Sequence, residues 1–223
     1  MMKVVEIFDS IDGEGIRTGQ PATFIRLAGC NVRCTYCDTT YALFGESEPC
    51  EYTEMTIEEI AEKVNTNYKR VTLTGGEPLI HADCEKLIAC LLDMDCEVNI
   101  ETNGAADITK IPRSDKLFFT IDYKLPSSGV SDKMLWDNFL NLTPSDVIKF
   151  VCGSEEDIAE MIKIVTRLGA HYKKMPHIFI GAVYGQIEYK DLIEVILKEP
   201  VLSDARFQIQ LHKIIWDPEM KGV

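Results

Sequence analysis

Short β-rich runs and amphipathic helical stretches alternate along this chain, and that alternation limits its fold more than any other feature. The β-rich runs lie at 23–28, 70–74, 96–101, 117–121, 146–151, 177–183 and 206–211. Between them, apolar residues recur at helical spacing. Ile57, Ile60, Ala61 and Val64 make one stripe over 56–66, where Thr56 and Glu59 read as a capping box. Leu87, Ile88, Leu91 and Leu92 make a second stripe. Ile158, Met161, Ile162, Val165 and Leu168 make a third, opened by Ser154 and Asp157. Leu192, Ile193, Ile196 and Leu197 make a fourth. Strand–helix alternation implies parallel pairing through right-handed crossovers. The result is a complete or partial β/α barrel, or an open doubly wound sheet.

Three cysteines share one short loop, Cys30-Asn-Val-Arg-Cys34-Thr-Tyr-Cys37, directly after an apolar run. Three thiolates are one too few for structural zinc, which takes four ligands. A cubane iron–sulfur cluster is usually held by four cysteines, so three leave one iron open to a small molecule. The remaining cysteines lack ligand spacing. Cys84 and Cys90 fall in a helical stretch, Cys96 and Cys152 lie beside strands, and all four read as core residues. Cys50, in a polar loop, is the one candidate for a fourth ligand.

With 223 residues the chain fits a single domain spanning 1–223 and can bury a full core. Its net charge of −13 excludes broad nucleic-acid binding, which needs a basic surface. No apolar run approaches the roughly 20 residues of a membrane span. The first residues carry an acid inside their apolar stretch and do not read as a signal peptide. Eight cysteines without a secretory signal suggest a reducing cytoplasm.

Polar motifs cluster just after the strands. Thr72-Leu-Thr-Gly-Gly-Glu-Pro78, Glu101-Thr-Asn-Gly104, Asp122-Tyr-Lys124 and the Gly181–Gly185 turn each close one. In parallel β/α folds these ends carry the active site. Gly75 and Gly76 would let backbone approach a ligand closely.

These residues resemble the radical S-adenosylmethionine superfamily. The C-x3-C-x2-C spacing with Tyr36 before the last cysteine, Gly75-Gly76-Glu77-Pro78 and Glu101-Thr102-Asn103-Gly104 are similar to its motifs. The resemblance implies a partial β/α barrel, a [4Fe-4S] cluster on Cys30, Cys34 and Cys37, and S-adenosyl-L-methionine on the open iron. It places Tyr36 and Asp38 at the cofactor's adenine side, Gly76 and Glu77 at its methionine end, and Cys37 among the cofactor-binding residues. Glu101, Asn103, Asp122, Tyr123 and Lys124 are further cofactor-binding positions.

A narrower resemblance runs from residue 4 to the last residue. Phe8-Asp-Ser-Ile-Asp-Gly-Glu-Gly15, Phe24-Ile-Arg-Leu-Ala-Gly-Cys30, Cys37-Asp-Thr39, Lys124-Leu-Pro-Ser-Ser-Gly129, Gln210-Leu-His-Lys-Ile-Ile-Trp216 and Lys221-Gly-Val223 are similar to the 7-carboxy-7-deazaguanine synthase family. That family converts 6-carboxy-5,6,7,8-tetrahydropterin to 7-carboxy-7-deazaguanine with loss of ammonia, feeding deazapurines such as queuosine. The resemblance implies a cytoplasmic homodimer, an electron donor such as flavodoxin or ferredoxin, and Mg2+ with Thr39 as a ligand. Ile11, Asp12, Gly13, Arg26, Thr74 and, through its carboxylate, Val223 are the substrate-binding positions. An arginine inside an apolar strand is costly unless paired, which supports Arg26 as receptor for a substrate carboxylate.

Several positions depart from the family pattern. Asp12 stands where many members have glutamine, Asp122-Tyr123 replaces a common Ser-Pro, and Gly181-Ala182-Val183-Tyr184 replaces a more polar segment. Two other functions fit the cysteine loop alone: an activase that installs a glycyl radical on a partner enzyme, and a non-enzymatic zinc-binding module.

Overall fold

The computed structural model describes residues 1–44, 50–217 and 220–223. Among these, nine strands form one open sheet. They are β1 (Met2–Ile11), β2 (Pro21–Leu27), β3 (Thr53–Met55), β4 (Arg70–Gly75), β5 (Glu97–Thr102), β6 (Leu117–Tyr123), β7 (Val147–Cys152), β8 (His177–Ala182) and β9 (Arg206–Phe207). The sheet order is β3-β1-β2-β4-β5-β6-β7-β8-β9. Pairing is parallel from β2 to β9 and antiparallel where β1 meets β2 and β3. The sheet does not close, so the architecture is a partial β/α barrel.

Every β-rich run read from the sequence contains a strand, although 206–211 shrinks to Arg206–Phe207. The long first strand was not among those runs. Its pairing register shifts between Val4 and Glu6, and such a bulge breaks the two-residue alternation that marks a strand.

The helices are α1 (Ile57–Ala61), α2 (Cys84–Asp93), α3 (Trp136–Leu140), α4 (Glu155–His171), α5 (Tyr189–Lys198) and α6 (His212–Ile215). The α1 capping box forms with both of its hydrogen bonds. The helix nevertheless ends at Ala61, short of the 56–66 span expected. On α4 the Ser154 hydroxyl accepts the Asp157 N–H. Leu87, Ile88 and Leu91 of α2 and Met161, Val165 and Leu168 of α4 pack on the sheet's outer face. There they meet Leu27, Leu73, Ile100, Phe119, Ile121, Ile148 and Phe150, each buried. Complete burial of one such side chain contributes roughly 1.5–3 kcal/mol. The α5 stripe is only half used: Leu192 is buried, but Leu197 is 80% exposed. Cys84, Cys96 and Cys152 are core residues, as expected. Among the described residues no helix is long and apolar enough to cross a membrane.

The other face of the sheet is concave and polar. Alternation puts Arg26, Thr74, Glu101 and Thr120 on it, side by side by register or hydrogen bond across β2, β4, β5 and β6. Asp122 and Lys149 pair in register on β6 and β7.

Two glycines lock the mouth of this face. A Cβ on Gly75 would overlap the Leu27 carbonyl oxygen and stand 2.7 Å from the Leu27 nitrogen. A Cβ on Gly76 would stand 2.6 Å from the Gly29 carbonyl carbon and 2.9 Å from Cys30 Cβ. The close approach these glycines permit is thus to the chain itself, where the Gly76 N–H donates to Leu27 O (3.1 Å) and the Glu77 N–H to Gly29 O (2.8 Å). Glu77 then braces the next strand. Its carboxylate accepts from Asn103 N (2.7 Å), Leu79 N (3.0 Å) and the Thr102 hydroxyl (2.9 Å).

Gly76→Ala is expected to destabilise the metal-free protein by about 1–3 kcal/mol, as overpacking does. It should also lower the iron and sulfide taken up on anaerobic reconstitution, both read against the native chain. Normal metal content at normal stability would show that the contact is dispensable.

Burial raises the Glu77 carboxyl to about 7, against the pull of its donors. The folded state therefore favours the protonated acid more than the unfolded chain does. That contribution is complete below the ordinary range near 4.5 and is lost as pH rises through 7. Native stability relative to Glu77→Gln should fall by up to about 3 kcal/mol across this interval. Urea midpoints of both proteins against pH measure it, and a constant difference would mean an ordinary carboxylate.

Candidate active site

The cysteine loop leaves the carboxyl end of β2 and is pinned from three directions. Gly76 holds its start, as above. Asn103, just past β5, donates from Nδ2 to Asn31 Oδ1 (2.8 Å) and lies 3.5 Å from Cys30 Sγ. The Thr35 N–H donates to Ser128 O (3.0 Å), and its hydroxyl to Ser127 O (2.5 Å), in the segment after β6. The loop is therefore built by the ends of β4, β5 and β6 together. All three thiols are free and partly exposed. Burial raises the Cys34 and Cys37 thiols, and Cys30 beside them adds to both.

The donor set suits a cluster more than a single ion. Among the described residues no three His, Cys, Asp or Glu side chains converge as one metal ion requires. A cubane distributes its thiolates over separate irons, so convergence on one point is not needed. Cys50 directs its thiol to the Glu51 carbonyl, 3.7 Å away.

Beside the loop, Lys124 Nζ pairs with Asp122 Oδ2 at 2.7 Å. Asp122 Oδ1 is buried without a hydrogen bond among the described residues and lies 3.9 Å from Lys149 Nζ. Burial would raise the Asp122 carboxyl, but Lys124 and Lys149 outweigh it and hold it below its usual range. Burial likewise lifts the Tyr36 phenol, which sits within the field of Lys124 and Asp122. Tyr123 is placed differently. Its ring packs on Phe139 (4.9 Å) and Phe150 (5.7 Å) in the core, so only its backbone faces the mouth.

Asp38, after the last cysteine, is bound by the chain's final segment through Lys213 Nζ at 3.2 Å. Burial pushes its carboxyl up, but Lys213 and the Thr39 hydroxyl hold it at about 2. The Thr39 hydroxyl donates to Asp38 Oδ1 at 3.0 Å. Farther along, Lys221 lies 4.3 Å from the centre of the Tyr41 ring. A Cβ on Gly222 would stand 3.8 Å from Glu6 Oε2, so the residue before Val223 lies beside Glu6.

The substrate-binding candidates divide by depth. Arg26, only 16% exposed, pairs through Nε with Glu6 Oε1 at 2.7 Å. The Thr74 hydroxyl donates to Glu101 Oε2 at 2.9 Å, and burial raises that carboxyl. Gly13 packs against His212, and Ile11 ends β1. Asp12 turns away from the mouth. Its carboxylate lies 2.9 Å from Arg17 Nε and accepts the Thr72 hydroxyl at 2.7 Å. Arg17 is itself buried and donates to Val71 O at 3.1 Å. The Asp12 carboxylate is thus engaged inside the protein.

Sequence reasoning missed Glu6, Glu14, Tyr41, Lys149, Gln208 and Lys213. Lys149 Nζ donates to Glu14 Oε2 at 2.7 Å, and Gln208 Nε2 to Glu14 Oε1 at 3.0 Å. The signal that marks Arg26, a lone charge in an apolar strand, also marks Lys149 in Val147-Ile-Lys-Phe-Val151.

Comparison with known proteins agrees with this geometry. The Radical SAM superfamily model matches residues 24–121. A 7-carboxy-7-deazaguanine synthase of Clostridium acetobutylicum is 42% identical over 99% of this chain and 99% of its own length. One from Chlorobaculum tepidum is 38% identical over 100% of this chain and 97% of its own. In fold, the crystal structure of QueE from Escherichia coli superposes with a TM-score of 0.72 over 92% of each chain, at 23% identity. The chain belongs to the 7-carboxy-7-deazaguanine synthase family of the radical S-adenosylmethionine superfamily.

Proposed function

We propose that this chain catalyses the ring contraction of 6-carboxy-5,6,7,8-tetrahydropterin to 7-carboxy-7-deazaguanine with loss of ammonia, on the route to queuosine. One observation carries the reading beyond family membership: β2 delivers both Arg26, on the concave face, and the Cys30–Cys37 loop at its carboxyl end. A cation for a carboxylated substrate and a seat for a three-cysteine cluster thus stand on one strand, four residues apart.

Cys30, Cys34 and Cys37 would hold a [4Fe-4S] cluster, which when bound would supply one-electron chemistry to S-adenosyl-L-methionine. The protein's own work is orientation. Gly76, Asn103 and Ser128 fix the cysteine loop against three strand ends. Tyr36, Asp38 and the Asp122–Lys124 pair flank the cofactor, Glu101 lies on the floor, and Glu77 braces the strand ends below the methionine side. Arg26 receives the substrate carboxylate, and Gly13, Ile11, Thr74 and Val223 border the pterin. Asp12 acts from behind through Arg17 and Thr72.

Thr39 offers a hydroxyl to Mg2+, an ion that prefers oxygen ligands and shares substrate groups and water. An external one-electron donor such as flavodoxin or ferredoxin, a homodimer and a cytoplasmic setting complete the reading.

Anaerobic incubation of reconstituted protein with carboxytetrahydropterin, S-adenosyl-L-methionine, reductant and Mg2+ should yield deazaguanine absorbance and one ammonia per product. Arg26→Met should depress kcat/KM by about a hundredfold, the scale of a lost charge-assisted pair. No product from a fully loaded cluster would overturn the proposal.

A further inference from the structure

Arg26 is held by a device that the proposed reaction does not itself require. Along β1, Val4 pairs with Leu27 and Glu6 with Arg26, so Val5 is an extra residue with no counterpart on β2. Val4 is 3% exposed and belongs to the core. Beyond the bulge, Phe8 stacks on Phe24 with ring centres 5.1 Å apart, and Glu6 faces Arg26. Strand residues two apart share a face, so without Val5 as an extra residue Glu6 would stand on Val4's side, in the apolar core. The bulge moves a carboxylate onto the concave face.

There Glu6 Oε1 accepts two hydrogen bonds, from Arg26 Nε at 2.7 Å and from the Tyr41 hydroxyl at 2.9 Å. Glu6 is 20% exposed. The Arg26 guanidinium lies 5.8 Å from the centre of the Tyr41 ring. Among the described residues, its two terminal nitrogens make no hydrogen bond. A guanidinium presents its five N–H groups as a planar fork. With the Nε edge occupied, the edge formed by the terminal nitrogens remains for a second carboxylate, which it can bind bidentately.

We propose that Glu6 is a positioning residue for recognition of the substrate's carboxylate, fixing Arg26 by its Nε so that the outer edge grips a 6-carboxylated pterin. The inference rests on the function proposed above and assigns its substrate selectivity to a residue that does not touch substrate. Glu6 carries the same charge as the carboxylate to be bound, so it favours binding only while Arg26 stands between the two. Tyr41 shares Glu6 Oε1 and limits its rotation. Since Tyr41 follows Thr39 in the same turn, the carboxylate receptor is also coupled to the cysteine loop.

The test compares equilibrium binding of 6-carboxypterin and 6-methylpterin, two unreactive probes, to reconstituted protein loaded with S-adenosyl-L-methionine. The readout is the ratio of their dissociation constants, which a loss of general stability does not move. The native chain should prefer the carboxylated probe. Glu6→Gln should cut that preference about tenfold, equivalent to about 1.4 kcal/mol, and Glu6→Asp should recover part of it. Should Glu6→Gln misfold, Tyr41→Phe removes only the second hydrogen bond and should cut the preference about threefold.

In turnover, Glu6→Gln should raise KM for carboxytetrahydropterin more than it lowers kcat, with iron content unchanged. A native preference retained in either folded variant, or a native chain that does not discriminate, overturns the role of Glu6. Absence of deazaguanine from the native enzyme would instead count against the reaction itself.

Discussion

The contact on which the site depends is backbone against backbone, where Gly75 and Gly76 meet Leu27 and Gly29 with no room for a Cβ. It brings the end of β4 flush with the first turn of the cysteine loop. From there Glu77 reaches Thr102 and Asn103, and Asn103 returns to Asn31 and Cys30. Three strand ends thereby become one rigid rim. A loop with three thiols has no internal reason to keep a single shape, and the rim supplies one. The Gly-Gly-Glu run is therefore a structural clamp.

Below that rim the barrel's inner face carries charges where a packed barrel would carry apolar side chains. Each one costs desolvation energy unless paired, and pairing brings little net stability in return. The pairs fall at different levels. Asp12 and Arg17 are enclosed, Glu14 and Lys149 cross the interior, Asp122 and Lys124 stand beside the cysteine loop, and Glu6 and Arg26 line the flank. Such an interior makes sense as a receptor for a polar, charged substrate. The last segment of the chain closes over it through Lys213 to Asp38, Leu211 N to Gly13 O and Gln208 to Glu14.

What the sequence makes legible follows from periodicity and spacing. Strands with a helix-covered outer face, such as Val71 to Leu73 or Ile148 to Phe150, announce themselves through apolar residues. The cysteine spacing points to the cofactor chemistry only together with Gly75-Gly76-Glu77-Pro78 and Glu101-Thr102-Asn103-Gly104, through resemblance to a family. β1 is hidden because its bulge shifts the alternation midway and its inner face carries Glu6. Glu77 reads as a ligand-binding acid, yet its hydrogen bonds run to Leu79, Thr102 and Asn103, partners that no linear pattern brings together. Tyr123 reads as part of a cofactor motif, but strand alternation sends its ring to the core while its neighbours Asp122 and Lys124 face the mouth. Arg17 lies in a turn, where an arginine is unremarkable until the fold buries it against Asp12.

The most direct measurement is isotope transfer. Carboxytetrahydropterin deuterated on the carbons of its reduced ring is supplied under anaerobic turnover, and the 5′-deoxyadenosine formed is recovered and weighed by mass spectrometry. If the uncommitted iron and the Arg26 receptor serve one pocket, deuterium appears in 5′-deoxyadenosine in proportion to deazaguanine produced. 5′-Deoxyadenosine formed without deuterium from the pterin, with the label retained in the unreacted substrate, would contradict that arrangement.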